Sequence, residues 1–369
     1  MHIEDLLRSI VEAGASDIHL TAPYPPVVRI DGELIHHNDL PNLTNKDVEQ
    51  FFYDVTDEEQ RKLFSRELEL DFAHSIPEVG RFRANAAIQR GNISLSFRSL
   101  QVATLDIDDL GLPDVCKDLV LKENGLLLVT GPTGSGKSTT IAAMIKYLNG
   151  LRSRRVITVE DPIEFLHDND KCFITQREVG SDTQSFSEAL KHTLRQDPDV
   201  ILVGEMRDLE TMGTALTAAE TGHLVLATLH TPSAPQAIDR IIDVFPPHQQ
   251  QTVRIQVSTV LQGVMYQTLV PRRDQAGRVP ALEIMLATDA IRNLIREART
   301  AQMWSTIQTS SQYGMQTMDQ AVMKLFNDNV ITLEEALRRC RDPEAAKKSL
   351  SRASEQTGRK TRPSAMVRQ

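Results

Sequence analysis

Gly131-Pro132-Thr133-Gly134-Ser135-Gly136-Lys137-Ser138 has the spacing G-x-x-x-x-G-K-[ST]. The apolar run Leu126 to Val129 before it reads as a buried strand, and Ile141, Ile145 and Leu148 after it recur at helical spacing. Strand, glycine loop and helix, in that order, form the setting of a phosphate-binding loop. Glycines let backbone N–H groups converge on anionic oxygens, and the start of a helix adds partial positive charge. In such a loop Lys137 reaches the β/γ-phosphates of ATP and the Ser138 hydroxyl ligates Mg²⁺. Gly131, Pro132, Thr133, Gly134, Ser135, Gly136, Lys137, Ser138 and the adjoining Thr139 are the candidate nucleotide-binding residues.

Composition bounds what surrounds this loop. With 369 residues, two domains are the natural expectation, and 40% apolar with 25% charged residues suits a water-soluble globular chain. No apolar run approaches the roughly eighteen residues that span a bilayer, and Met1-His2-Ile3-Glu4-Asp5 is not a signal peptide start. The expected location is the cytoplasm. Cys116, Cys172 and Cys340 form no C-x-x-C pair, so buried small hydrophobes are the expected role rather than zinc or disulfide chemistry. A net charge of −9 argues against a nucleic-acid-coating surface. Residues 346–369 are the exception, with seven Lys/Arg against Glu355, and read as a basic disordered tail.

Residues 1–98 read as a small α+β domain. A helix is expected from Ile3 to Ala13, then strands at Asp17 to Leu20, Val27 to Ile30 and Glu33 to His36, with Asp31-Gly32 as a hairpin turn. A helix at Asp57 to Arg66 and a strand at Glu69 to His74 follow. Phe82, Ala84, Ala86 and Ile88 alternate with polar residues, as do Ile93, Leu95 and Phe97, across an Arg90-Gly91-Asn92 turn. That hairpin buries its apolar set and gathers Arg81, Arg83 and Arg98 on one exposed face. Residues 99–112 read as an interdomain linker. From 113 to 345, apolar runs alternate with helical patterns, the signature of an α/β domain around a mainly parallel sheet.

Three stretches add chemistry to the loop. Val156 to Val159 reads as a strand running into Glu160-Asp161-Pro162-Ile163-Glu164, and Val200 to Val203 as one ending at Gly204-Glu205. Thr221-Gly222-His223 precedes a third strand, which His230 follows. In open parallel sheets ligands collect at the carboxyl ends of strands. Mg²⁺ prefers oxygen ligands and keeps several waters, so Glu205 fits as a metal-site acid acting through water. Glu160 or Glu164 fits the orientation of attacking water, and His230 the sensing of the γ-phosphate. Arg207 and Arg195 read as partners in structural ion pairs.

Together these stretches resemble the secretion ATPase superfamily of type II and type IV pilus systems. GPTGSGKST (131–139) resembles its Walker A motif, ITVEDPIE (157–164) its aspartate box, LVGEMRD (202–208) its Walker B motif and TGHLVLATLHT (221–231) its histidine box. GASDIHL (14–20) and QREVG (176–180) also fit. Ala290-Ile291-Arg292-Asn293-Leu294-Ile295-Arg296-Glu297 resembles a motif of the PilT family, the pilus retraction ATPases of twitching motility. Residues 265–290 hold no cysteine, whereas assembly and secretion members commonly carry a tetracysteine zinc insertion.

The resemblance implies a PAS-like N-terminal domain, a RecA-like ATPase domain and a homohexameric ring with nucleotide between the domains. It implies that Glu164 is the catalytic glutamate, Glu205 the Walker B acid, and Arg81, Arg83 and Arg98 cations near the nucleotide. The strand-end reading of the residues, for its part, puts His223 and His230 at the edge where the loop sits. It also implies work on an inner-membrane platform protein from the cytoplasmic side of the membrane, with an accessory retraction ATPase as a related partner. An accessory or assembly ATPase is the nearest alternative, and a nucleic-acid-translocating motor a more distant one. Read from its residues alone, the 290–297 helix and the residues just after it have an apolar stripe of Ile291, Leu294, Ile295 and Ala298 and a basic one of Arg292, Arg296 and Arg299.

Overall fold

A computed structural model describes residues 2–30, 33–37, 39–77, 79–100, 105–274, 277–341 and 343–344. They divide into two compact units, one of residues up to Thr104 with Pro162–Leu166, the other of Leu105–Asp161 with everything from His167 onward.

The N-terminal unit runs α1 (Ile3–Glu12), β1 (Asp17–Leu20), β2 (Val27–Ile30), β3 (Glu33–His36), α2 (Asn45–Val55), α3 (Glu58–Glu67), β4 (Glu69–Ile76), β5 (Gly80–Gln89) and β6 (Asn92–Leu100). The strands form one antiparallel sheet in the order β3-β2-β1-β6-β5-β4. The 81–98 hairpin has the expected register, with Ala84 opposite Phe97 and Ala86 opposite Leu95, all four buried. Helix α2 was not expected. Thr44 and Asp47 cap it reciprocally, and Val48, Phe51, Phe52 and Val55 line its buried face. The Asp31-Gly32 turn and the 346–369 tail lie outside the described residues.

The interdomain segment is shorter than residues 99–112. Strand β6 continues to Leu100, and Ile107 and Leu112 are buried in the second unit's core. Their acidic neighbours made two isolated apolar anchors look like solvated linker.

The second unit begins with α4 (Val115–Val120), β7 (Gly125–Thr130), α5 (Lys137–Leu151), β8 (Arg155–Glu160), β9 (Phe173–Glu178) and α6 (Phe186–Thr193). It continues with β10 (Val200–Val203), α7 (Leu209–Glu220), β11 (Leu224–Leu229), α8 (Ala234–Asp243), α9 (Pro247–Val260), β12 (Leu261–Pro271) and β13 (Arg278–Leu286). Helices α10 (Asp289–Arg296), α11 (Thr300–Thr309), α12 (Met318–Asn327) and α13 (Leu333–Arg339) close it. The sheet order is β13-β12-β7-β11-β10-β8-β9. Every neighbouring pair is parallel except β12 with β13. This is the α/β arrangement read from the sequence. Strands β7, β10 and β11 are buried at every position, as a sheet covered on both faces demands. All three cysteines are buried and none is in a disulfide, and burial pushes the Cys116 thiol up to about 12, so it is inert at neutral pH.

Candidate functional site

The glycine loop joins the end of β7 to the start of α5. Gly131, Gly134 and Gly136 have φ of 144°, 75° and 85°, values that side chains rarely adopt. At two of them space is also lacking. A Cβ on Gly131 would lie 2.3 Å from the Gln267 carbonyl oxygen, and one on Gly136 would lie 2.9 Å from Gln267 Nε2. Lys137 is buried, and its ammonium donates to the Gly131 and Pro132 carbonyl oxygens at 2.9 and 3.1 Å. Its charge therefore lies folded within the loop. The Ser135 hydroxyl is buried without a hydrogen-bond partner, and Ser138 and Thr139 are half-buried on the first turn of α5.

Parallel order fixes which ends share an edge. β7, β11, β10 and β8 are neighbours running the same way, so Thr130, Leu229, Val203 and Glu160 end at one edge of the sheet. Glu160 Oε1 accepts from Thr158 Oγ1 at 2.6 Å and from Gln176 Nε2 at 3.2 Å. Just beyond β10, Gly204 donates its N–H to the Val159 carbonyl, and Thr228 Oγ1 donates to the Gly204 carbonyl. These bonds tie the β10 terminus to both neighbouring strands. Glu205 follows, with Oε2 2.7 Å from Arg207 Nη2 and Oε1 3.4 Å from His230 Nε2. The hydrogen bond from Arg207, helped by the His230 ring, holds the Glu205 carboxyl below the usual carboxylate range. Arg207 is engaged in an ion pair, as expected from sequence, and its partner is Glu205.

His223 is not brought to this edge. It precedes β11, at the amino end of the strand, about 20 Å along the chain from Leu229 at roughly 3.3 Å per residue. Its Nδ1 is 2.9 Å from the Ala218 carbonyl oxygen and 3.2 Å from Thr221 Oγ1, which ties the end of α7 to the start of β11. A histidine before a strand and one after it point to opposite sheet edges, and the motif as written hides that.

Glu164 is exposed and lies in Pro162–Leu166, which belongs to the N-terminal unit. It is not among the groups that the second unit itself places at the loop. In the N-terminal unit, Arg83 and Arg98 face each other across β5 and β6. Arg98 Nε donates to Asp17 Oδ1 at 2.7 Å, and Arg29 lies 4.0 Å from the same carboxylate. Arg98 thus helps to hold β1, while Arg83 is exposed and Arg81 half-buried.

One residue escapes the sequence reading and another is placed differently by it. Gln267 on β12 braces the loop: Nε2 donates to the Ser135 carbonyl and Oε1 accepts from Thr140 Oγ1, both at 2.7 Å. Arg292 was expected in an outward basic stripe. Instead its guanidinium donates to the carbonyls of Ser258, Thr259 and Leu261 at 2.5, 2.6 and 2.8 Å, closing the carboxyl end of α9. Arg296 and Arg299 are exposed.

The family model "Type II/IV secretion system protein" matches residues 81–338. The type IV pilus retraction ATPase PilT of Pseudomonas aeruginosa is 50% identical over 344 residues, covering 93% of this chain and 99% of its own. A twitching motility protein of Neisseria gonorrhoeae is 45% identical over 87% of this chain and 85% of its own. The type IV pilus ATPase PilU of Pseudomonas aeruginosa is 42% identical over 91% of this chain and 88% of its own. A crystal structure of the pilus retraction motor PilT with bound ADP superposes with a TM-score of 0.88 at 48% identity, over 95% of this chain and 99% of that one. By both sequence and fold, the chain belongs to the type II/IV secretion system protein family.

Proposed function

We propose that this chain is an ATPase motor that drives type IV pilus retraction in twitching motility. The observation that carries the proposal is 50% identity, over 93% of the chain, to a retraction ATPase. A phosphate loop built as the reaction needs supports it. Gly131 and Gly136 keep side chains out of the cradle, Lys137 supplies a buried cation, and the Ser135 hydroxyl is free for a ligand. ATP fits such a cradle. Mg²⁺ fits a donor set of the Ser138 hydroxyl, the Glu205 carboxylate through water, and phosphate oxygens. When bound, the ion neutralises charge developing on the phosphates.

The chain's own groups divide the work. Lys137 exchanges its loop carbonyls for β/γ-phosphate oxygens. Glu160 and Glu164 are the acids for orienting water, with Glu164 taken as the base by its place in the aspartate box. His230, 3.4 Å from Glu205, links the metal-site acid to the γ-phosphate position. Arg81, Arg83 and Arg98 supply cations from the N-terminal unit, completing the site in a homohexameric ring. Domain motion in that ring acts on an inner-membrane platform protein, from the cytoplasmic face of the membrane. No helix among the described residues is long and apolar enough to cross a membrane.

Lys137→Ala is expected to abolish phosphate release. Glu164→Gln is expected to retain nucleotide binding and lose hydrolysis, and near-native turnover in that variant would refute the role given to Glu164. A deletion strain should lose twitching while carrying more surface pili, and Lys137→Ala should fail to restore it. Bald cells would instead indicate an assembly ATPase. Normal twitching that fails only under load would indicate an accessory one.

A further inference from the structure

We propose that Gln267 is a positioning residue of the phosphate loop, fixing from a neighbouring strand the direction in which the loop's backbone donors point. The inference rests on the nucleotide reading above and adds a residue that none of the loop's motifs contains. β12 runs parallel to β7, and the last paired residues are Tyr266 and Thr130. Gln267 is therefore the first residue of β12 past the end of β7, level with the start of the loop. It is 1% exposed, and its strand is held on the other side by β13, where it pairs with Leu282.

Both halves of its amide are used. Nε2 takes the Ser135 carbonyl and Oε1 takes the Thr140 hydroxyl, each at 2.7 Å. The peptide group is planar and trans, so the Gly136 N–H points opposite to the Ser135 C=O. Pinning that carbonyl against β12 turns the Gly136 N–H away from β12. The bond to Thr140 fixes the first turn of α5, whose free N–H groups supply the partial positive charge. A single amide on a rigid strand thereby sets both parts of the anion cradle. The same close approach accounts for two of the loop's glycines. A Cβ at Gly131 or Gly136 would strike the Gln267 carbonyl or amide. Glutamine suits the position because it donates at one end, accepts at the other and carries no charge to bury.

The test is titration of the full-length chain with a fluorescent (methylanthraniloyl) ADP, alongside the nucleotide-free melting temperature. Gln267→Leu should weaken binding at least tenfold. Gln267→Glu keeps the acceptor for Thr140 but loses the donor to Ser135, and should also weaken it tenfold or more. Thr140→Val should lose about threefold to tenfold, and Thr140→Ser, which retains the hydroxyl, should return to within twofold of the parent. Gln267→Leu and Thr140→Val that both bind within twofold of the parent would overturn the proposal, whatever their melting temperatures. So would equal losses in Thr140→Val and Thr140→Ser. If Gln267→Leu does not fold, the two Thr140 variants decide, since both keep Gln267. Failure of the parent chain itself to bind the probe would instead refute the nucleotide reading.

Discussion

Glu205 sits between the Arg207 guanidinium and the His230 imidazole. Its carboxyl titrates below the usual range, first because of the Arg207 hydrogen bond. A depressed acid stabilises the fold above its unfolded value near 4.5, and that contribution disappears as pH falls through the native value. Melting temperature should therefore drop on acidification below about pH 4.5, and Glu205→Gln should flatten the drop. An unchanged slope would show that the pair is solvated away, a real contest because the Arg207 side chain is 72% exposed. The sequence made Glu205 legible because an acid after an apolar strand has a definite position on a parallel sheet. Gln267 was not legible. Its partners are 132 and 127 residues away, and nothing local separates a bracing glutamine from a solvated one.

Helix α10 shows the same limit one level up. Its spacing correctly separated buried Ile291 and Ile295 from exposed Arg296. What spacing could not give was reach. Arg292 starts beside the polar stripe, but its long side chain turns back to carbonyls at the end of α9, and helix ends leave such carbonyls in need of donors. Hydrogen bonds from a charged donor are worth about 1.5–3 kcal/mol, and leaving buried carbonyls bare costs a similar amount. Arg292→Ala should lower unfolding free energy by about 2–3 kcal/mol, whereas Arg296→Ala at an exposed position should change it by less than about 0.5 kcal/mol. Equal effects in chemical denaturation would show that Arg292 is no clamp. Retraction phenotypes of Arg292 variants thus carry a stability component that those of Arg296 variants do not.

At the scale of the molecule, the described residues give the N-terminal unit a hydrophobic cluster of its own, from Ile3 to Phe97, and the second unit three. Separate cores predict separate transitions in calorimetry. ADP at about 100 times its Kd stabilises the unit that binds it by ~2.7 kcal/mol. For a unit of this size that is roughly 5–10 °C. The transition of the second unit, which carries the phosphate loop, should move by that amount and that of the N-terminal unit by less, and a single transition moving as a whole would contradict independent cores. The division into two units was legible from the change in periodicity near residue 100. The return of Pro162–Leu166 to the first unit was not, because five residues between two strands carry no pattern of their own. That return makes the first unit discontinuous in the gene. A fragment ending at residue 104 would lack a stretch of its own body, and a swap of the first hundred residues between relatives would leave the donor's module mated to the recipient's 162–166. Chimeras should be cut at three places, with that short insert travelling with its own unit.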